Sequence, residues 1–347
     1  MKVCTIGLDL AKSIFQTHGI DEHGDVVLRR RLRRSEVLTF FSRLPSCLVG
    51  MKACATSHHW ARELALLGHS VRLIPPPYVK PYVRRGKNDA ADAAAICEAV
   101  TRPSMRFVPV KSADQQAVLM LHKSRDLLVK QRTMLINALR CHLAELGIVA
   151  AQRMTGLAEL VTVMKDDADT RIPALARRAL EPMLSQLSQI HDGVDQIEAE
   201  IKAWHKANDV SRRLGTIPGI GPIIASAIAA TMLDPNHFRS GREFAAWLGL
   251  DPKQNSSGGK ERLGRISRQG NRYVRRLLVI GATAVLRYAR AKAPGSTWVQ
   301  SLLERKPARL VSVALANKMA RTAWALLAHK EDYRTNDHHG SAIAVGA

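Results

Sequence analysis

The sequence predicts an α/β domain followed by a helical remainder. Three observations carry that expectation. Strand-like and helix-like segments alternate through the first hundred residues, the breaker PPPY closes that stretch, and apolar residues then recur at spacings of three and four.

Each element follows from its own residues. VCTIGLD and SIFQTHGI are rich in residues that favour strands, DEHG reads as a turn, and DVVLRRRL continues as a third strand, which predicts a three-strand antiparallel meander. SEVLTFFSRL then opens a helix with Ser35 as its N-cap, CLVGMKA is a short buried strand, TSHHWARELALLG is a helix stopped by Gly68, and VRLIP is a last strand. Beyond PPPY, Asn88 or Asp89 can cap a helix running through ADAAAICEAV. This is the element order of ribonuclease-H-like folds, whose central first strand carries a carboxylate toward a later strand end and a final helix. In that layout Asp9 would converge with Asp89 and Asp92.

Asp89 and Asp92 lie three positions apart, so on a helix they share a face and repel each other. A solvated helix face is the simple explanation. The sharper one is a cation site: three carboxylates from two elements can hold one or two Mg²⁺ ions, which offset the repulsion and clamp both oxygens of an in-line phosphoryl displacement.

From about residue 113 to 148 the pattern predicts a long helix with Val118, Leu121, Leu128, Leu135 and Leu139 on one side. Leu187, Ile190, Val194, Ile197, Ile201 and Trp204 form a second apolar seam of coiled-coil type, either an intramolecular hairpin or a dimerisation arm. Residues 149 to 181 between them read as polar and irregular. LGTIPGIGPIIASAIAA, residues 214 to 230, suits a helix-hairpin-helix in which Gly219 and Gly221 let backbone N–H groups meet a phosphate, or else a plain helix–helix turn. In GLDPKQNSSGGKERLGRISRQGNRYVRRLL, residues 249 to 278, eight basic residues and one acidic fall between Lys253 and Arg276 among four glycines. Flexible backbone loaded with cations, notably Lys260, Arg262, Arg265, Arg268 and Arg272, suits phosphates. Ser256 and Ser257 sit at its glycine-rich apex, where a hydroxyl is either a turn former or a nucleophile.

Composition narrows the partners. The 347 residues include 52 Lys and Arg against 30 Asp and Glu, a formal charge of +22, which points to a polyanion. Aromatics are 5%, too few for binding mainly by base stacking, so duplex or structured nucleic acid is favoured. The five cysteines are scattered without metal-ligand spacing, which predicts buried thiols and no zinc site. With no signal peptide and no apolar run long enough to span a membrane, the expected location is the cytoplasm.

Taken together, GLDLAKSIFQ, KNDAADAAAIC, IPGIGPIIAS and the serine-bearing segment resemble the DEDD transposases of bacterial insertion sequences, the family also described as bridge-RNA-guided recombinases. The resemblance implies a RuvC-like acidic domain over residues 1–107, a coiled-coil arm over 108–206, a transposase domain over 207–330 and a disordered tail over 331–347. It further implies Mg²⁺ or Mn²⁺ as cofactor. The implied partners are the DNA of the element ends and target, a noncoding guide RNA, and further copies of the chain as a dimer or tetramer at the nucleoid. Strands would be cut and rejoined through a covalent serine–DNA intermediate. Asp9 matches the first acid, Asp89 and Asp92 the third and fourth, and Ser257 the nucleophile, with Ser256 the alternative register. The second acid should lie in GMKACATSHHW, where position 52 is instead lysine. Lys52 changes the local charge by two units and can itself occupy a cation's place, while Glu63 lies too far into the next helix to replace the acid. Two other functions are compatible with parts of the sequence: a junction nuclease, which has no use for the serine loop, and a catalytically silent nucleic-acid-binding protein.

Overall fold

The structure is a computed structural model that describes residues 2–83, 88–152, 154–292 and 297–334. Arg84 to Lys87 of the RRGK stretch and residues 335–347 of the expected tail lie outside the described residues. The chain divides into two compact units, Met1–Gln116 and Ala117–Ala347.

The first unit is built on β1 (Thr5–Asp9), β2 (Ile14–Ile20), β3 (Val26–Arg33), α1 (Val37–Ser42), β4 (Leu48–Lys52), α2 (Ser57–Leu66), β5 (Ser70–Ile74), α3 (Pro76–Val79) and α4 (Asp89–Val100). Its five strands form one sheet in the order β3-β2-β1-β4-β5. The first three are antiparallel, whereas β1 pairs parallel with β4 and β4 with β5. This is the arrangement expected of a ribonuclease-H-like domain. Alternation divides the sheet: Ile6, Leu8, Val49 and Met51 face a core shared with Phe41 of α1 and Trp60 and Leu64 of α2. Trp60 meets Phe15 edge to face at 5.1 Å. Each such fully buried side chain contributes about 1.5–3 kcal/mol through the water it sheds.

The opposite face is set by glycine. Gly7 of β1 and Gly50 of β4 are register partners. A Cβ on Gly7 would stand 2.1 Å from the Ala93 carbonyl, and one on Gly50 would stand 2.7 Å from Val100. Strand glycine is justified where another backbone approaches closely, and here it lets α4 lie directly on β1 and β4. Asn88 caps that helix, its side chain accepting from the Ala90 N–H at 2.8 Å. Ser35 does not cap α1. It lies in a 3₁₀ turn over Arg34–Glu36, and the Glu36 carboxylate instead accepts the Arg33 N–H at 2.7 Å.

The helix α5 (Ala113–Ala144) leads into the second unit, which continues as α6 (Met154–Lys165), α7 (Ala174–Ala207), α8 (Asp209–Leu214), α9 (Pro222–Thr231), α10 (Gly241–Trp247), β6 (Pro252–Gln254), β7 (Leu263–Ile266), α11 (Arg272–Lys292), α12 (Thr297–Arg305) and α13 (Ala308–His329). Residues 149 to 181 are in large part helical rather than irregular, with α6 and the start of α7. Leu157, Leu160 and Met164 give α6 an apolar face that packs with Leu139 and Leu143 of α5 and Leu180 and Leu187 of α7. The α7 seam is buried within the chain at Ile190, Val194 and Ile201, and Arg125 of α5 reaches Glu198 of α7 at 2.6 Å. A second core joins Leu214, Ile224 and Ile228 to Phe244, Leu278, Val311 and Met319. Among the described residues no helix is long and apolar enough to cross a membrane.

Candidate active sites and nucleic-acid interface

In the first unit the acids converge by register. Asp9 ends β1 and Lys52 ends β4, one step beyond the Leu8–Met51 pair, so both project from the glycine-bearing face. The close seat of α4 brings Asp92 over them. Lys52 Nζ stands 2.8 Å from Asp9 Oδ1 and 3.0 Å from Asp92 Oδ2. The approach to Asp92 is a hydrogen bond. The approach to Asp9 is an ion pair without hydrogen-bond direction, which leaves Asp9 Oδ1 buried and without a directed donor. Burial pushes the Asp9 carboxyl above its ordinary range; Lys52 opposes that, while the charges of Asp92 and Asp89 add to it. Burial alone would pull Lys52 down, yet its close contacts with the carboxylates of Asp9 and Asp92 and their charge outweigh it and hold the ammonium above its usual value. Asp89, in the exposed first turn of α4, acts on the pair only through its charge. Glu63 is elsewhere on α2, beside His59 at 3.7 Å.

A divalent ion needs several carboxylate oxygens turned to a common point. Among the described residues no group of three His, Cys, Asp or Glu side chains forms such a point. Lys52 supplies the positive charge between Asp9 and Asp92 instead. These residues as they stand do not fit a divalent metal.

In the second unit the serine segment is not flexible backbone. β6 and β7 pair antiparallel, Asn255 N–H donates to the Arg262 carbonyl at 2.8 Å, and Ser257 bridges to Lys260. Gly258 and Gly259 have φ of 56° and 76°, the left-handed pair that a tight two-residue hairpin turn requires. The two serines differ at this tip. Ser256 Oγ accepts the Arg262 N–H at 3.1 Å and so belongs to the hairpin's own bonding. Ser257 contributes only backbone to it, its carbonyl accepting the Lys260 N–H at 3.1 Å.

The hairpin is anchored at its base by a residue that sequence reading passed over. Arg275 is buried and donates from Nη1 to the carbonyls of Leu248 and Gln269, both at 2.6 Å. Burial lowers its pKa first, and the charges of Arg268 and Arg272 lower it further. Asn317 adds a bond to Asp251 at 2.7 Å. Lys260, Arg262, Arg265, Arg268 and Arg272 are all exposed around this anchored ribbon. Its arrangement can hold phosphates near a free hydroxyl.

Gly219 and Gly221 are separated by the structure. Gly219, at φ 86°, faces inward, where a Cβ would stand 2.6 Å from Val285 and 3.0 Å from the Gly281 carbonyl. Gly221 precedes α9 with open space around it. Close packing therefore accounts for Gly219 within the turn between α8 and α9.

Comparison with known proteins agrees with this layout. Residues 6–148 match the IS110-type DEDD transposase profile, and residues 211–295 match the profile described as "Transposase IS116/IS110/IS902 family". The chain is 50% identical over 337 residues to a "Probable family 20 transposase" of Pseudomonas aeruginosa, covering 96% of this chain and 99% of that one. It is 41% identical to the "Transposase for insertion sequence element IS1111A" of Coxiella burnetii, over 95% and 91% of the two chains. It is 39% identical to the "Transposase for insertion sequence element IS1328" of Yersinia enterocolitica, over 93% and 96%.

Proposed function

From the membership of the chain in the IS116/IS110/IS902 family of transposases, we propose that it excises and inserts a bacterial insertion sequence by cutting and rejoining DNA, with Ser257 as nucleophile. The observation that carries the serine assignment is the hairpin tip: Ser256 is committed to the Arg262 N–H, whereas Ser257 stands exposed among cations. In the reaction, a bond forms between Ser257 Oγ and a backbone phosphorus as the bond from that phosphorus to one deoxyribose oxygen breaks. The departing oxygen takes up a proton equivalent to the one Ser257 loses. Attack by a hydroxyl of a second DNA segment reverses the step, restores Ser257 and joins new ends. Exposed Lys260, Arg262, Arg265, Arg268 and Arg272 hold the phosphates and offset the charge that develops. The open N-terminus of α9 after Gly221 offers a further backbone contact to phosphate.

A structured RNA encoded with the element selects the DNA segments, and a dimer or tetramer holds two of them at the nucleoid. Divalent ions are general to DEDD nuclease domains; with a glutamate at position 52 in place of lysine, Asp9, Asp92 and that glutamate would hold Mg²⁺ or Mn²⁺, which would offset the charge that develops in phosphoryl transfer. In this chain Lys52 fills that role's place with an ammonium, so the acidic site is impaired and recombination is weak. The same observation favours a second reading, in which the chain still assembles on nucleic acid but does not cut. A plasmid excision assay separates the two. Ser257→Ala should abolish excision and the covalent protein–DNA adduct while nucleic-acid binding persists. An adduct on that variant, absent from Ser256→Ala, would transfer the role to Ser256.

A further inference from the structure

The first unit carries a second basic feature that the acidic site does not use. The strand β3 is the edge of the sheet, and Arg29 and Arg31 lie opposite His18 and Gln16 of β2. Because Phe15 and Leu32 point into the core with α1 and α2, these arginines point to the other face, the one on which α4 lies. The intervening Arg30 turns away and lies over Phe40 at 5.5 Å. Between the β2–β3 face and α4 runs a groove of about 1250 Å³.

One wall of this groove is the Arg29–Arg31 stretch, from which Arg29 and Arg31 project, both exposed and with no ion pair to a carboxylate among the described residues. The other wall is α4, which presents Ala91 and Ala94, and the half-buried Tyr82, packed against Ile74 and Val79, also lines it. Three acids also line it: Glu98 pairs with Arg102, Asp21 accepts the N–H groups of His23 and Asp25 inside the β2–β3 turn, and Glu22 lies beside His23 at 3.4 Å with its side chain exposed at the turn end of the groove, away from Gln16 and Arg31. Charge on an edge strand also discourages sheet-to-sheet pairing, but that need is met without a groove beside it. Gln16 lines the groove and is the register partner of Asp9, so the channel leads to the end of β1.

We propose that this groove seats one unpaired DNA strand, its phosphates along Arg29 and Arg31 and a base against Tyr82. Alternate residues of a strand stand about 7 Å apart, an interval comparable to that between successive phosphates of an extended strand. The alanine wall has no long side chain to obstruct the sugar–phosphate backbone. Burial and the Arg29 charge hold His18 below the ordinary imidazole range, so at neutral pH it adds a hydrogen-bonding edge and no third charge. The inference rests on the reading that the chain acts on DNA.

The test uses the full chain and Arg29→Gln/Arg31→Gln, with single-stranded DNA, duplex DNA and RNA as separate probes titrated over a range of salt. Loss of two phosphate contacts should reduce the slope of log K against log salt for single-stranded DNA by about 1.4, with the duplex slope unchanged. A halogenated single strand should also photocrosslink to Tyr82 in the native chain and lose that adduct in the variant, and an unchanged thermal transition would show the fold intact. An unaltered single-strand slope overturns the proposal, including the case where only RNA or duplex binding falls. If the native chain binds no DNA at all, the proposed function fails instead, so the two failures are told apart.

Discussion

Lys52→Glu tests the account of the acidic site most directly. In the native chain one ammonium stands 2.8 Å and 3.0 Å from two carboxylates, and the Asp9 side chain is only 9% exposed. At about 3 Å and an effective dielectric of about 20, each attraction is roughly 5 kcal/mol before desolvation is subtracted. Removing one partner of such a buried pair costs about 3–5 kcal/mol, because the remaining charge stays out of water uncompensated. Glutamate adds a third like charge. For a unit of this size about 4 °C accompanies each kcal/mol, so without divalent ions the first unit should melt roughly 12–20 °C lower. The same substitution supplies a carboxylate beside Asp9 and Asp92. Mg²⁺ or Mn²⁺ at about a hundred times its dissociation constant should then recover about 2.7 kcal/mol. Excision should rise with it, by about the hundredfold that one misplaced group can cost. Lys52→Met provides the control, since it removes the charge and adds no ligand, and it should melt early with or without metal. Calorimetry with and without divalent ions decides the matter. If the native chain gains as much stability from Mg²⁺ as Lys52→Glu does, the ammonium does not occupy a cation's place.

Three further perturbations probe the rest of the molecule. His122 is buried between Tyr273 OH and Ser226 Oγ, each at 3.1 Å, and burial, with the Arg125 charge, lowers its pKa to about 4. Between pH 6.5 and 4 the unfolded chain therefore binds the extra proton, so about 3 kcal/mol present at neutral pH is lost on acidification through that window. His122→Phe should flatten that pH dependence of unfolding, and an unchanged dependence would show that His122 is not its source. Gly7→Ala should cost about 3 kcal/mol or more because its Cβ would stand 2.1 Å from the Ala93 carbonyl oxygen, whereas Gly258→Ala, with open space but a positive φ, should cost about 1 kcal/mol; equal losses in urea unfolding would contradict the packing role. Arg265→Ala with Arg268→Ala should lower duplex affinity alike for all sequences and reduce the salt slope by about 1.8, and a sequence-dependent loss would mean that these side chains read bases.

The sheet was legible because its segments are short, rich in residues that favour strands and bounded by breakers, as by DEHG between β2 and β3 and Gly68 before β5. The meeting of Asp9 with Asp92 is expected from the ribonuclease-H-like element order, whereas position 52 enters only through the family resemblance; the structure places it beside Asp9 because the parallel neighbours β1 and β4 end at the same edge. What was missed has physical causes. Gly7 and Gly50 lie inside strands and carry no chemical function, yet they determine how far α4 is from the acids. Glycine within a strand is the sequence signal that would have found them. Four glycines in one basic segment predict flexibility only when their separate backbone roles are invisible. Gly258 and Gly259 make a hairpin turn, while Gly249 and Gly270 allow backbone crossings at its base, where a Cβ on Gly270 would stand 1.7 Å from the Trp247 carbonyl. Arg275 was indistinguishable in sequence from its exposed neighbours, because only tertiary burial separates an anchor from a phosphate contact.

The lysine at position 52 bears on how folding and metal binding are linked in the first unit. A cluster of carboxylates at a strand edge is a liability until a cation neutralises it, and the ammonium does so from within the polypeptide. The first unit can therefore fold without any bound ion. A glutamate at the same position would tie stability and chemistry to the same divalent ligand, so that loss of metal would weaken both. With Lys52 the two are uncoupled: the sheet, the seat of α4 and the arginine groove beside it persist whether or not the acidic site can act on DNA. Resemblance over nearly the whole chain accordingly reports the family and its scaffold, and on the proposed reading the charge at position 52 sets what the acidic site can do.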